Sequence, residues 1–306
     1  MPMDSVTPGV HGLRTVMVNL FGVANPTDGS WVLIDTGLYL HASRIKAWAE
    51  RNFGHGSKPS CILLTHGHFD HVGSLRELAH EWNVPVYAHP MEMPYLTGRS
   101  KYPPPDPSVG GGVFALLSDI YPTGPVNFGG DLRCLPEDGS VPGLPEWRWV
   151  PTPGHSPGHV SFFRDTGRIL IAGDAFVTTK QESLISVATQ RPELHGPPAY
   201  FTPDWQAAGL SVKRLAALQP NIVACGHGLP MGGPAMSEAL DFLADHFEHV
   251  AVPDHGRYVG NPAVTGECGV VHLPPRTFNP LQTALVGAAI AGVVVVALRR
   301  GVRATR

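Results

Sequence analysis

Short apolar runs recur along most of the chain, and they have strand length. Val16 to Ala24 is apolar except at Asn19, and Trp31 to Ile34 follows across Asn25-Pro26-Thr27-Asp28-Gly29-Ser30. That pattern predicts a first strand paired with a second across a turn. Further strands are expected at Cys61–Thr65, Pro85–Ala88, Trp147–Val150, Val160–Phe163, Ile169–Ala172 and Ile222–Cys225. Asp165-Thr166-Gly167 is a turn sequence that would fold two of these into a hairpin. Helical spacing appears between them. Tyr39–Arg51 places Ile45, Trp48 and Ala49 on one face, and Gly73–Trp82 suits a second helix. Asp204 is placed to cap a third helix running to Leu218, and Ser237–Val250 reads as a fourth. Strands alternating with helices predict an α/β fold.

Two segments break this pattern. Residues 98–145 are rich in Pro and Gly, including Pro103-Pro104-Pro105 and Gly110-Gly111-Gly112, and offer little beyond Val113–Ile120. Such a segment reads as a linker or as a functional loop. Leu281–Leu298 carries no charge and is followed by Arg299, Arg300, Arg303 and Arg306. Its length just reaches that of a spanning helix, with Ala284, Ala288 and Gly292 as a small-residue stripe. The expected organisation is therefore a catalytic domain over 1–275 and a transmembrane helix with a basic tail over 276–306. The positive-inside rule would keep the Arg tail in the cytoplasm, but the N-terminus offers no convincing signal peptide, so membrane association through 281–298 with a cytoplasmic catalytic domain is expected, the alternative being a soluble cytoplasmic protein.

Composition adds bounds. The chain has 306 residues, a net charge of −3 and only 15% charged residues, so it has no basic field for nucleic acid. The cysteines at 61, 134, 225 and 268 make no Cys-x-x-Cys pair, which argues against a thiolate zinc site or a disulfide framework. The partner expected is a small-molecule substrate; nothing in the sequence sets the oligomeric state.

The chemistry lies where the apolar runs end. Cys61-Ile62-Leu63-Leu64-Thr65 leads into His66-Gly67-His68-Phe69-Asp70-His71. Neutral imidazole and carboxylate are ligands for zinc and iron, and crowding them without a cation leaves polar groups unsatisfied. His155 lies in Thr152-Pro153-Gly154-His155-Ser156-Pro157-Gly158-His159, Asp174 closes Ile169-Leu170-Ile171-Ala172-Gly173, and His227 closes Ile222-Val223-Ala224-Cys225-Gly226. Taken alone, each of these three is as readily a turn residue; order and context make them ligand candidates.

His-x-His-x-Asp-His, a later His, an Asp after Gly and a final Gly-His-Gly together resemble the metallo-β-lactamase-fold hydrolase superfamily, in its glyoxalase II and lactonase-like branch, over about residues 14 to 250. The resemblance implies an αββα sandwich of two mixed β-sheets with external helices, here followed by the C-terminal hydrophobic helix. It implies two Zn2+ per chain, with iron or mixed metals as the alternative. His66, His68 and His155 would hold one ion, Asp70, His71 and His227 the other, and Asp174 would bridge them. A bridging hydroxide would attack a small ester, thioester, lactone or related bond, with Asp70 moving a proton to the leaving group. Asp35 would support the ligand loops through hydrogen bonds, and His159 would orient the His155 loop. His89, Lys180 and Tyr200 are candidate substrate contacts. For residues 98–145 the resemblance implies a loop bordering the substrate cleft rather than a linker.

Subfamily features narrow this unevenly. The β-lactamases of this fold generally lack the bridging Asp. The acyl-homoserine lactonases carry a Tyr soon after it, where this chain has Ala175-Phe176-Val177. The glutathione-binding basic residues of glyoxalase II have no match. A mononuclear iron persulfide dioxygenase on the same fold is the alternative from another reaction class.

Overall fold

The computed structural model describes residues 5–277. Strands β1 (Val10–Thr15), β2 (Val18–Ala24) and β3 (Trp31–Ile34) form an antiparallel meander. Helix α1 (Ala42–Phe53) then crosses to β4 (Ile62–Leu63), and α2 (Leu75–Trp82) crosses to β5 (Val86–Ala88). Parallel neighbours need such crossovers, and β3, β4 and β5 are all parallel. After the short helices α3 (Met93–Leu96) and α4 (Val113–Leu116), β6 (Leu132–Cys134) adds to β5 at the sheet edge. The first sheet thus runs β1-β2-β3-β4-β5-β6.

The second sheet is built from β7 (Trp147–Pro151), β8 (Val160–Arg164), β9 (Ile169–Gly173), β10 (Ile222–Cys225) and β11 (Met231–Gly232), in the order β11-β10-β9-β8-β7. Between β9 and β10, which are parallel, lie α5 (Leu184–Thr189) and α6 (Trp205–Ala216). Helices α7 (Pro234–Asp245) and α8 (Phe247–Val250) and the ribbon β12 (Val264–Gly266) with β13 (Gly269–His272) follow.

Three apolar layers hold these parts. Phe21, Val23, Val32, Ile34 and Leu63 of the first sheet meet Trp147, Val160, Phe162, Ile171 and Ala224 of the second. On the outer face of the first sheet, Ile45 and Trp48 of α1 and Leu75 and Leu78 of α2 are buried. On that of the second, Val212 and Leu215 of α6 pack with Leu240 and Leu243 of α7. Two mixed sheets with helices on both outer faces is the architecture anticipated for the sandwich.

Several expectations need correction. The run from Val16 is the second strand: Val10–Thr15 precedes it, and exposed Val16, with φ of 63°, sits in the hairpin turn. Residues 98–145 are not all loop, because Leu132–Cys134 pairs with β5. The helix expected over 237–250 begins at Pro234 and is interrupted at His246. The membrane helix expected over 281–298 lies outside the described residues. Among the described residues, no helix is long and apolar enough to cross a membrane.

Candidate metal centre

The loops that leave the strand ends of both sheets meet at one place. Residues 66–71 follow β4 of the first sheet, while residues 152–159 join β7 to β8 of the second; Asp174 follows β9 and His227 follows β10. His66, His68, His71, His155, Asp174 and His227 are all buried, and Asp70 is partly so.

Their ligand atoms converge in three overlapping sets: His66 with His68 and His155; His66 with His71 and Asp174; and Asp70 with His71 and His227, each within 4.8 Å. In the first set, Nδ1 of His68 lies 3.0 Å from Nε2 of both His66 and His155. Asp174 Oδ2 lies 3.1 Å from His227 Nε2 and 3.5 Å from Nε2 of both His71 and His155. Asp70 Oδ2 is 3.5 Å from His227 Nε2.

Hydrogen bonds behind the rings fix which nitrogen faces inward. Thr65 donates through its hydroxyl to Asp35 Oδ2 at 2.7 Å, so it accepts from His66 Nδ1 at 3.0 Å. His71 Nδ1 donates to Asp35 Oδ2 at 2.8 Å, and His227 Nδ1 donates to the Met17 carbonyl at 2.8 Å. Each of these three rings therefore turns its Nε2 toward the cluster, as metal-binding histidines do when their other nitrogen is held by a hydrogen-bond partner. His71 Nε2 and Asp174 Oδ1 are buried with no hydrogen-bond partner. Orphaned donor-type atoms at the focus of such a set are what an absent cation would satisfy. The residues fit a metal group.

Electrostatics point the same way. Burial pushes His66 and His155 well below the usual imidazole range, and neighbouring imidazoles push further. Burial and His71 lower His68 to about 3. Burial disfavours charge on His71 as well, but Asp174, Asp35 and Asp70 outweigh it and raise this ring well above its usual value. His227 is raised by Asp174 against the same burial penalty. Burial would raise Asp174, yet His227 and His71 hold it well below the usual carboxylate range.

The supporting residues are placed as follows. Asp35, with φ of 61°, also accepts from the Thr65 backbone N–H at 2.8 Å. His159 accepts from the Asp174 backbone N–H at 2.9 Å and sits 2.8 Å from the Thr152 hydroxyl, so it ties the end of β9 to the end of β7. Tyr200 lines the cavity over the cluster. His89 does not: its Nδ1 accepts from the Met91 N–H, and its ring lies against Trp149. Lys180 is exposed and also lies off the cavity wall.

Sequence reasoning missed Glu92. This fully buried carboxylate accepts at Oε2 from the Gly67 N–H (2.9 Å) and the Tyr102 hydroxyl, and at Oε1 from the Ser156 hydroxyl and the Gly158 N–H (both 2.8 Å). One oxygen thus serves the His66–His68 loop and the other the His155 loop. Gly226 was read only as part of a ligand motif. Its backbone passes so close to Asp174 that a Cβ there would stand 2.0 Å from Asp174 Oδ1.

The cluster opens into a cavity of about 140 Å³ whose other walls include Phe69, Phe114, Tyr121, Tyr200 and Phe201. A larger groove of about 950 Å³ lies between α2 and residues 122–128, but it lacks the convergent ligand atoms.

Comparison with known proteins gives consistent results. A model of the metallo-beta-lactamase superfamily matches residues 14–227. The probable metallo-hydrolase YflN of Bacillus subtilis (strain 168) is 45% identical over 259 residues, covering 82% of this chain and 98% of its own. The hydroxyacylglutathione hydrolase of Xanthomonas axonopodis pv. citri (strain 306) is 27% identical over 217 residues, 70% of this chain and 62% of its own. The crystal structure of TTHA1623 in a di-iron-bound form matches with a TM-score of 0.50 at 26% identity, over 77% of this chain and 96% of that one. The chain belongs to the metallo-beta-lactamase superfamily.

Proposed function

We propose, from membership of the metallo-beta-lactamase superfamily, that this protein is a dinuclear metal-dependent hydrolase of a small ester, thioester or lactone. The observation that carries the reading is the position of Asp174. Its Oδ2 lies within 3.5 Å of Nε2 on His71, His155 and His227, between the imidazole set and the Asp70 set. A carboxylate so placed would serve both ions, and this supports a dinuclear reading. His66, His68 and His155 would hold one ion, and Asp70, His71 and His227 the other.

Bound there, the ions would supply Lewis acidity and an activated water. The chain's own residues do the rest. Asp35, Thr65 and the Met17 carbonyl keep the inward-facing Nε2 atoms of His71, His66 and His227 in place. Asp70 lines the cavity beside the cluster, which places its carboxylate to pass a proton to a departing alkoxide or thiolate. Phe69 and Phe201 exclude bulk water from the cavity side of the cluster. Zinc and iron both suit this nitrogen and oxygen donor set, and the di-iron form of TTHA1623 is a reason to assay both.

The test is metal content by mass spectrometry, followed by assay of an ester, thioester and lactone panel before and after chelation. Two ions per chain and hydrolysis lost on chelation and restored by metal are expected. Asp70→Asn is expected to lower kcat by roughly 100-fold or more. A single iron with oxygen consumption on a persulfide substrate would overturn the reading.

A further inference from the structure

The wall facing the candidate ligands has an unusual makeup. Phe69, Phe114, Tyr121, Tyr200 and Phe201 surround it, Leu38 and Pro198 fill the gaps, and among the described residues no Lys or Arg lines it. The rings form one connected surface: Phe201 lies 6.0 Å from Tyr121 and 5.3 Å from Tyr200 between centroids, and Phe69 lies 5.8 Å from Tyr121. Lys180, six residues after Asp174, is exposed and does not line the cavity. The charge behind the wall is negative. Glu182 is buried, accepts from the Ala199 N–H at 2.7 Å, and with burial and Asp70 raises the Tyr200 hydroxyl well above its usual value. Tyr121 is raised by burial and by Asp70. Both phenols therefore stay neutral donors and cannot act as anion-repelling phenolates or as cations.

We propose that the group delivered to the reacting centre is an uncharged, apolar acyl chain, and that substrates carrying a carboxylate on that chain are rejected. The inference rests on the hydrolase reading and narrows it. An anionic tail passing the reacting bond would be buried among aromatic faces without a counter-charge, beside Glu182 and Asp70. A buried unpaired charge is strongly penalised. Asp70 and Asp174 would neutralise half the charge of two bound dications, and the remainder would be turned toward the activated water and the reacting carbonyl, on the side of the cavity opposite the aromatic wall. An apolar tail meets ring faces and aliphatic carbon, which is the environment it prefers.

A matched pair of esters reads this directly. p-Nitrophenyl butyrate and p-nitrophenyl hydrogen succinate share a four-carbon acyl chain and a leaving group, and differ by one carboxylate. With metal-loaded full-length protein, kcat/KM for the butyrate is expected to exceed that for the succinate by roughly 100-fold. Phe114→Lys sets a cation into the half-buried rim. It is expected to narrow the butyrate-to-succinate ratio by about 10-fold, and because the ratio is taken within one variant, a general loss of activity cancels. Saturation-transfer NMR with butyramide and succinamate gives a readout without turnover, and contact with butyramide alone is expected.

The outcomes separate. Metal-dependent hydrolysis of both esters at similar kcat/KM, or preference for the succinate, overturns this inference and leaves the hydrolase reading standing. Hydrolysis of neither ester, thioester nor lactone by loaded protein overturns the hydrolase reading, and the amide pair then decides the inference: selective butyramide contact upholds an apolar, cation-free site, and equal contact ends it.

Discussion

At the scale of single residues, the centre depends as much on what stands behind the ligands as on the ligands. Glu92 is the clearest case. Its two oxygens each take two donors, one pair from the loop that carries His66 and His68 and one from the loop that carries His155. Tyr102, one of those donors, also lies edge-on to the His68 ring at 4.6 Å between centroids. Glu92→Gln keeps shape but turns an amide NH2 toward one pair of donors. Metal affinity, measured by competition with a chromophoric chelator, should fall by about 10- to 100-fold, the usual effect of losing a group that orients metal ligands. Unchanged affinity would show that Glu92 only fills space. The residue was illegible in the sequence for a physical reason. Pro90-Met91-Glu92-Met93 has no motif, and all four donors are remote in sequence or belong to backbone. The ligands were legible because six adjacent residues hold His66, His68, Asp70 and His71, and because His155, Asp174 and His227 each follow an apolar strand. His89 and Lys180 were chosen on chain position alone, and chain position does not say which way a side chain points.

At the scale of elements, the helix α6 is the buttress of the His155 loop. Ser211 of this helix donates to the Pro153 carbonyl at 2.7 Å, Arg214 donates to the Pro151 carbonyl at 2.6 Å, and the Asp204 N–H donates to the Gly154 carbonyl at 3.2 Å. The cap expected at Asp204 is present, with its carboxylate accepting from the Ala207 N–H at 2.9 Å. Gly154 lets the two come together: its φ is 135°, and a Cβ there would stand 2.4 Å from the Ala208 nitrogen. Gly154→Ala should therefore cost about 2 kcal/mol or more through overpacking against rigid backbone and an unfavourable φ. Asp204→Ala, which removes one cap bond and no packing, should cost about 1 kcal/mol. Urea unfolding of both variants checks the order; equal costs would mean that the loop yields freely. Strand and helix positions were readable wherever apolar runs were long and bounded by turns. They failed where length or burial gave no signal: β6 is a three-residue edge strand with little buried side-chain surface, inside a Pro- and Gly-rich stretch. The break at His246 separates α7 from α8 although apolar spacing continues across it.

At the scale of the whole molecule, the candidate ligands are divided between the two sheets. His66, His68, Asp70 and His71 hang from the first sheet, and His155, Asp174 and His227 from the second. Ions held by both sets would cross-link the halves of the sandwich, so their binding energy would add to folding stability. Protons compete for the same places, and the direction follows from the shifted groups. In the metal-free fold His71 and His227 are raised above the ordinary imidazole value by their acidic neighbours, against burial. Groups raised in this way contribute stability that is complete below the unfolded value, about pH 6.5, and is lost as pH rises through their folded values. His66, His68 and His155 are shifted down, and Asp174 lies far below, so their titrations fall at or under pH 6.5 and do not enter the higher window. As pH rises above about 6.5, through the raised values of His71 and His227, the metal-free protein should therefore lose stability, while the metal-loaded protein, whose His71 and His227 would carry no exchangeable proton on Nε2, should hold or gain. Calorimetric Tm values of chelated and reloaded protein across that window would show a widening gap. Zinc added to metal-free protein near pH 7 in weak buffer should also release protons, measurable with a pH indicator. A gap that narrows with rising pH, or binding without proton release, would mean that His71 and His227 are not the groups the metal displaces protons from.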